Sequence, residues 1–195
     1  MNAGVNLHFP SYIYFAYDIM SKGDHKKLLE KCDEIRSNVL KPSTNWFCDV
    51  LTSYNEKSLA NEYPFKDLIS SIEKHIIEFC GFLNSNPSTI IADHAWINSS
   101  SLGQYQEQHT HPNSNISAIY YLKAPEGSAA TIFKSPYQKQ NTLNIKQFND
   151  VTYQEIRYKP EEGKLILFES HLPHLTERHS IDQERMTFAA NFTVR

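Results

Sequence analysis

No apolar run in this 195-residue chain approaches the roughly 18 residues that a membrane-spanning helix needs, so no membrane span is expected. An excess of basic charge is also missing. The formal net charge is −3, which argues against generic binding to nucleic-acid phosphates. Cysteine is scarce: Cys32, Cys48 and Cys80 are the only three, an odd number without C-x-x-C spacing. A disulfide scaffold is therefore not expected, a reducing compartment is, and each thiol reads as a small buried apolar group. The chain starts with no basic segment ahead of an apolar stretch and no small-residue cleavage site, so no secretory signal is expected and the cytoplasm is the expected location. Internal repeats are absent. What is present, 40% hydrophobic and 21% charged residues, suits an ordinary globular protein whose length fits one domain over residues 1–195.

Periodicity divides the chain near residue 88. Tyr12-Ile13-Tyr14-Phe15-Ala16-Tyr17 reads as an early strand. A helix is predicted over 24–40, with Asp24 as N-cap and Leu28, Leu29, Cys32, Ile35 and Val39 as its apolar stripe. Residues 41–63 are mixed and polar, with a loop starting at Pro42 and Ser43. A second helix is predicted over 64–84. Pro64 opens it, Phe65, Leu68, Ile69, Ile72, Ile76, Phe79, Cys80 and Leu83 recur on one face, and His75 falls outside that face toward solvent. From residue 89 the pattern turns to strands: Thr89–Asn98, Asn115–Leu122, Ala130–Lys134, Val151–Tyr158, Lys164–Glu169 and Arg185–Val194, with turn signals at Pro125-Glu126-Gly127 and Pro160-Glu161-Glu162-Gly163. Short strands with long irregular connections suggest a sandwich or jelly roll over 89–195, covered on one sheet by the helices of 1–88. The Gln- and Asn-rich stretch 135–150 reads as a surface loop or a lid.

The chemistry-bearing residues are His109-Thr110-His111, His174 and Arg185-Met186-Thr187, in that order. Imidazoles two apart on extended backbone point to the same side. A third from a distant strand completes one face of a transition-metal ion, and imidazole suits Fe, Zn, Cu and Ni. An arginine and a hydroxyl two apart suit a carboxylate co-ligand. Alternation in the last strand puts Met186, Phe188, Ala190, Phe192 and Val194 on an apolar face. Arg185, Thr187, Ala189, Asn191 and Thr193 form the other face, which faces either solvent or a pocket.

Gly103-Gln104-Tyr105-Gln106-Glu107-Gln108-His109-Thr110-His111-Pro112, followed by Ser117-Ala118-Ile119-Tyr120-Tyr121-Leu122, resembles the first metal motif of the Fe(II)/2-oxoglutarate-dependent oxygenases, in particular their prolyl-hydroxylase-like members. Gly163-Lys164-Leu165-Ile166-Leu167-Phe168-Glu169-Ser170, then His174, Arg185 and Thr187, resembles the second half of the pattern, and Trp96-Ile97-Asn98 fits upstream. The resemblance covers about residues 90–195 and is closest to a small oxygenase family that carries H-x-H-P followed by S-x-x-Y-Y. The start, Asn6-Leu7-His8-Phe9-Pro10, is similar to that family's opening strand.

The resemblance implies a mainly β fold with flanking helices, the cupin-like jelly roll called a double-stranded β-helix. It implies Fe(II) as metal, 2-oxoglutarate and O2 as cosubstrates, and hydroxylation of an unknown primary substrate. His174 is preferred to His171 and His179 as the third ligand, because Arg185 follows it at eleven residues, as in the family pattern, rather than at fourteen or six. Arg185 and Thr187 would hold the far carboxylate of 2-oxoglutarate, with Asn98, Tyr105, Ser117 and Asn191 as further candidates to line a pocket. The chain departs from the family's usual H-x-D at His111. Either His111 is itself a ligand, the preferred reading, or a carboxylate such as Glu107 or the more distant Asp93 replaces it. Three imidazoles would leave Fe(II) formally +2, and with ordinary pKa values near about 6.5 they would lose metal steeply below neutral pH. The alternatives are a three-His cupin-like dioxygenase that uses no 2-oxoglutarate, and a non-enzymatic jelly-roll binding protein. The primary substrate and the oligomeric state are not legible.

Overall fold

The computed structural model of the chain describes residues 10–44, 46–137, 145–147, 149 and 152–195. The opening motif at 6–9 and most of the candidate lid at 135–150 lie outside these residues.

Two helices and eleven strands form in the described residues. In chain order they are β1 (Ile13–Ala16), α1 (Lys22–Val39), β2 (Lys41–Pro42), β3 (Leu51–Thr52), α2 (Phe65–Phe82), β4 (Ile90–Ser100), β5 (Gln106–His109), β6 (Ile116–Lys123), β7 (Thr131–Lys134), β8 (Glu155–Tyr158), β9 (Leu165–Glu169), β10 (His174–Thr176) and β11 (Arg185–Val194). A seven-stranded sheet runs β1-β9-β6-β11-β4-β3-β2, and a four-stranded sheet runs β5-β10-β7-β8. The strand pairs are antiparallel. Two such sheets face to face make the expected jelly roll. No helix among the described residues is long and apolar enough to cross a membrane.

Both helices cover one face of the large sheet. The larger core joins Leu28 and Cys32 of α1 with Phe65, Leu68, Ile72 and Ile76 of α2 and with Met186, Phe188, Ala190 and Phe192 of β11. Phe65 stacks on Phe188 with ring centroids 5.5 Å apart. A smaller core of Tyr121, Phe133, Ile166, Phe168 and Leu172 fills the space between the sheets. β11 is thus buried on both sides, which resolves its second face: Arg185, Thr187, Ala189 and Asn191 turn into the molecule, not to solvent.

Some expectations are corrected. The N-cap of α1 is Ser21, whose hydroxyl accepts from the Asp24 N–H at 3.1 Å, while Asp24 lies in the first turn. Ser21-x-x-Asp24 is the capping-box spacing, and an acidic group there also favours the helix dipole. His75 is not solvated; it is half-buried, with Nδ1 2.7 Å from the Tyr14 hydroxyl. The 41–63 loop contains β2 and β3, two residues each, which extend the large sheet beside β4. β5 and β10 are additional strands that apolar alternation does not reveal, because one is polar and the other has three residues.

Candidate metal centre

β5 and β10 lie side by side with His109 directly opposite His174. Directly opposed residues on neighbouring antiparallel strands bring their side chains together, and these two rings have centroids 4.2 Å apart. His111 lies just past β5, where its N–H donates to the Ser170 carbonyl at 2.8 Å. Its ring stands 5.1 Å from each of the other two. One ligand nitrogen from each imidazole lies within 4.8 Å of the others, and among the described residues this is the one His/Cys/Asp/Glu group so gathered.

The outward nitrogens have fixed roles. His109 Nδ1–H donates to the Glu107 carbonyl at 2.8 Å, and His174 Nδ1–H donates to the Leu172 carbonyl at 3.0 Å. Each bond leaves Nε2 with a free lone pair, as a metal ligand requires. His111 is held differently: its Nδ1 is 2.9 Å from the Asn191 amide, whose oxygen accepts from Ser117, which in turn meets Ser170. Burial lowers the pKa of all three. His111 is pushed down to about 4 by burial and then by His109. His174 is driven well below its ordinary value by burial, then by His109 and His111. His109 is lowered by burial, against the pull of its hydrogen bond to Glu107. Three imidazoles held neutral are prepared to bind a metal rather than protons. The donor set fits Fe(II) as well as other imidazole-binding metals.

The cavity between the sheets, about 930 Å³ including its open mouth, runs past this cluster to Arg185. Arg185 is 3% exposed. Its Nε donates to the Ala129 carbonyl at 3.0 Å and one terminal nitrogen donates to Thr131 Oγ1 at 3.3 Å. The guanidinium lies 5.3 Å from the Tyr121 ring centre, and the Tyr121 hydroxyl meets Thr131 Oγ1 at 2.7 Å. Burial pushes its pKa down, with the Tyr121 side chain opposing, yet a guanidinium does not give up its proton. Among the described residues no carboxylate pairs with it. Burying a charge without a counter-charge is costly, and an anion at this end of the cavity would offset that cost.

The other predicted residues divide. Thr187 is buried on the same face of β11 as Arg185 and lines the cavity, with Asn98 opposite it in register. Ser117 and Asn191 line it too, but their hydrogen bonds tie them to His111. Tyr105 does not line it, and the Arg178 guanidinium covers its ring at 4.8 Å. His171 is exposed and outside the cluster. His179 is buried but occupied: Nδ1 accepts from the Ala129 N–H at 3.2 Å and Nε2 donates to the Gln183 carbonyl at 2.7 Å. Asp93 accepts from Ser114 and Thr193, away from the cavity. Glu107 lines the cavity, but its carboxylate stands outside the gathered ligand atoms. Burial acts to raise its pKa, but the Cys48 thiol, the Phe47 N–H and His109 outweigh that and lower it. The sequence marks neither the aromatic wall of Trp46, Tyr54 and Trp96, which lines the cavity, nor the Tyr121–Thr131 pair that holds Arg185. The paired tyrosines of the S-x-x-Y-Y motif were the available signal for Tyr121.

Comparison with known proteins bears on the fold and the family. No curated protein matches the chain in sequence. Among solved structures, a prolyl-4-hydroxylase from Pseudomonas putida is similar, at 13% identity and a TM-score of 0.66, over 95% of this chain and 94% of its own. So is a prolyl hydroxylase from Trichoplax adhaerens, solved with a hypoxia inducible factor peptide fragment: 14% identity, TM-score 0.65, 93% of this chain and 83% of its own. HygX from Streptomyces hygroscopicus, solved with nickel, 2-oxoglutarate and hygromycin B, gives 9% identity and a TM-score of 0.65 over 94% and 83%. At such identities the likeness establishes the fold alone, the double-stranded β-helix. Residues 94–191, from the strand beside the cluster through Asn191, match the family described as "Putative 2OG-Fe(II) oxygenase", and the chain belongs to that family.

Proposed function

We propose that this protein is a hydroxylase that requires Fe(II), 2-oxoglutarate and O2, with His109, His111 and His174 holding the iron. The observation that carries the reading is the buried, carboxylate-free Arg185 sharing one cavity with three neutral imidazoles. Arg185 would receive the far carboxylate of 2-oxoglutarate on its remaining terminal N–H groups, and Thr187 would add a hydroxyl contact. Tyr121 and Thr131 hold the guanidinium in place, so its orientation is set before the anion arrives. His109 and His174 keep Nε2 turned inward through their carbonyl bonds. Apolar groups such as Phe168 and Ile119 restrict water around the centre.

Bound iron would supply the oxygen chemistry that side chains lack. The net reaction is R–H + O2 + 2-oxoglutarate → R–OH + succinate + CO2. One oxygen atom enters the C–H bond and the other enters succinate. Two electrons come from the C–H bond and two from the decarboxylation. A three-His dioxygenase without 2-oxoglutarate would leave Arg185 with no anion to bind.

The test is anaerobic binding of Fe(II) and 2-oxoglutarate, followed by succinate release on admitting O2. Binding of both, with succinate formed, is the expected result. His174→Ala should lose metal and succinate formation, and His171→Ala should keep both. Metal binding without any 2-oxoglutarate binding would move the assignment to the dioxygenase reading, and no metal binding would leave a binding protein.

A further inference from the structure

Past the three histidines the cavity changes character. Trp96 lies opposite Ala189, four residues along β11 from Arg185. From there a chain of rings leads outward: Trp96 is 5.8 Å from His111, Tyr54 is 5.0 Å from Trp96, and Trp46 is 5.5 Å from Tyr54. Trp96 is 3% exposed and Tyr54 36%, while Trp46 is half-buried. Glu107 joins this wall. It lies two residues before His109 in β5, hence about 7 Å from it along the strand and on the same side.

Two polar atoms here have no partner. Glu107 accepts from the Phe47 N–H with one oxygen at 3.0 Å and the Cys48 thiol also bonds to its carboxylate, while Oε2 is buried without a hydrogen-bond partner of its own. Trp96 Nε1 is likewise buried without a bond. Unpaired buried polar groups in a native fold call for an explanation. Among the described residues, Arg185 is the one Lys or Arg that lines the cavity, so this wall presents π faces, a carboxylate and an indole N–H, and no cation. Ring faces and a carboxylate both attract a positive group.

We infer that the primary substrate carries an alkylammonium or guanidinium group that seats on Glu107 against the Trp96–Tyr54 wall, with an acceptor such as an amide carbonyl for Trp96 Nε1: a basic amino-acid side chain, free or in a peptide. The spacing from Glu107 to His109 places the oxidised carbon a few bonds from the cation, within the aliphatic chain. What happens to that carbon rests on the hydroxylase reading. The recognition itself does not, because Glu107 and the aromatic wall need neither cosubstrate.

The probes are Nα-acetyl-lysine methylamide and Nα-acetyl-arginine methylamide, against their neutral counterparts, the norleucine and citrulline methylamides. Binding is measured by calorimetry on metal-free protein and on protein loaded anaerobically with Mn(II) and 2-oxoglutarate. At least one cationic probe should bind tenfold or more tightly than its neutral counterpart. Glu107→Gln, which keeps an oxygen for the Phe47 N–H, should bring that ratio to within about twofold without changing Mn(II) affinity. Trp96→Phe should weaken the same probe while leaving the charge preference intact. Equal binding of neutral and cationic probes, no binding of any probe, or an unchanged preference in Glu107→Gln would each overturn the inference. Loss of Mn(II) in Glu107→Gln would also overturn it, by making the carboxylate a metal ligand. Failure of 2-oxoglutarate to bind would defeat the hydroxylase reading instead, and the metal-free comparison would still decide this one.

Discussion

Arg185 shows how burial turns an ordinary residue type into a candidate binding group. On a surface an arginine is ordinary; here it is 3% exposed with only neutral partners. Arg185→Ala should weaken 2-oxoglutarate binding by one to two orders of magnitude, since a hydrogen bond to a charged group contributes roughly 1.5–3 kcal/mol and about 1.4 kcal/mol is tenfold. Iron affinity should stay nearly intact, and titration of both ligands checks this. His111 poses a subtler question. With the amide nitrogen of Asn191 at its Nδ1, the proton sits on Nε2, the atom that faces His174 at 3.3 Å. A half-turn of the amide would put its oxygen there, move the proton to Nδ1 and free Nε2 for a metal. Asn191→Leu should therefore weaken metal binding by about 10–100-fold, while Asn191→Asp, a permanent acceptor, should preserve it. An Asn191→Leu variant with unchanged metal affinity would leave His111 outside the ligand set. Acid behaviour follows from burial. Because His111 is lowered from 6.5 to about 4, the metal-free native state binds fewer protons than the unfolded chain between those values. This contribution to stability is complete above about 6.5 and is lost as pH falls through the window to about 4. Urea unfolding of the metal-free protein at pH 7 and pH 5 should show lower stability at pH 5. Metal affinity should also persist further into acid than ordinary histidines would allow, and a steep loss between pH 7 and pH 6 would contradict that.

Elements differ in how openly the sequence declares them. α2 is legible because Phe65, Leu68, Ile72, Ile76 and Phe79 repeat at helical spacing, and all five are buried against the sheet. β11 is legible to the residue, Arg185–Val194, because its apolar face alternates without a break. β5 and β10 are not, although they carry His109 and His174. Their residues are chosen for the cavity, so no apolar rhythm marks them. Division of labour between the two faces of the large sheet yields a prediction. Ile76→Ala should lower stability by about 2–5 kcal/mol, as buried large-to-small changes do, because Ile76 is fully buried under the far face. Metal and 2-oxoglutarate affinities measured well below its melting temperature should match the wild type. A large change in either affinity would mean that the helical layer helps to shape the site.

At the scale of the whole molecule, the helical layer and the large sheet share one core, from Leu28 to Phe192, and the large and small sheets share a second through Tyr121, Phe133 and Phe168. We propose that residues 1–195 form one domain, so urea unfolding should give a single transition that coincides by fluorescence and circular dichroism. Ligands that bind only the folded protein stabilise it, by about 2.7 kcal/mol at one hundred times the dissociation constant. Mn(II) should raise the melting temperature, 2-oxoglutarate should raise it further when Mn(II) is present, and a chelator should reverse both. No shift with either ligand would count against a site formed in the native state.

By itself the sequence determined the mainly β class with covering helices, because periodicity is a local property that survives without coordinates, and the family resemblance in it gave the candidate metal and anion residues and the preference for His174 over its neighbours. It determined less about His75 and Tyr105, whose surroundings come from distant chain: Tyr14 reaches one and Arg178 covers the other. Only the tertiary structure decided that His109, His111 and His174 converge and are held neutral, that Arg185 is buried without a carboxylate, and that Asn191 serves His111. The reason is physical. Desolvation and the absence of a counter-charge depend on everything packed around a group, and that environment is assembled from β5, β7, β10 and β11, segments far apart along the chain.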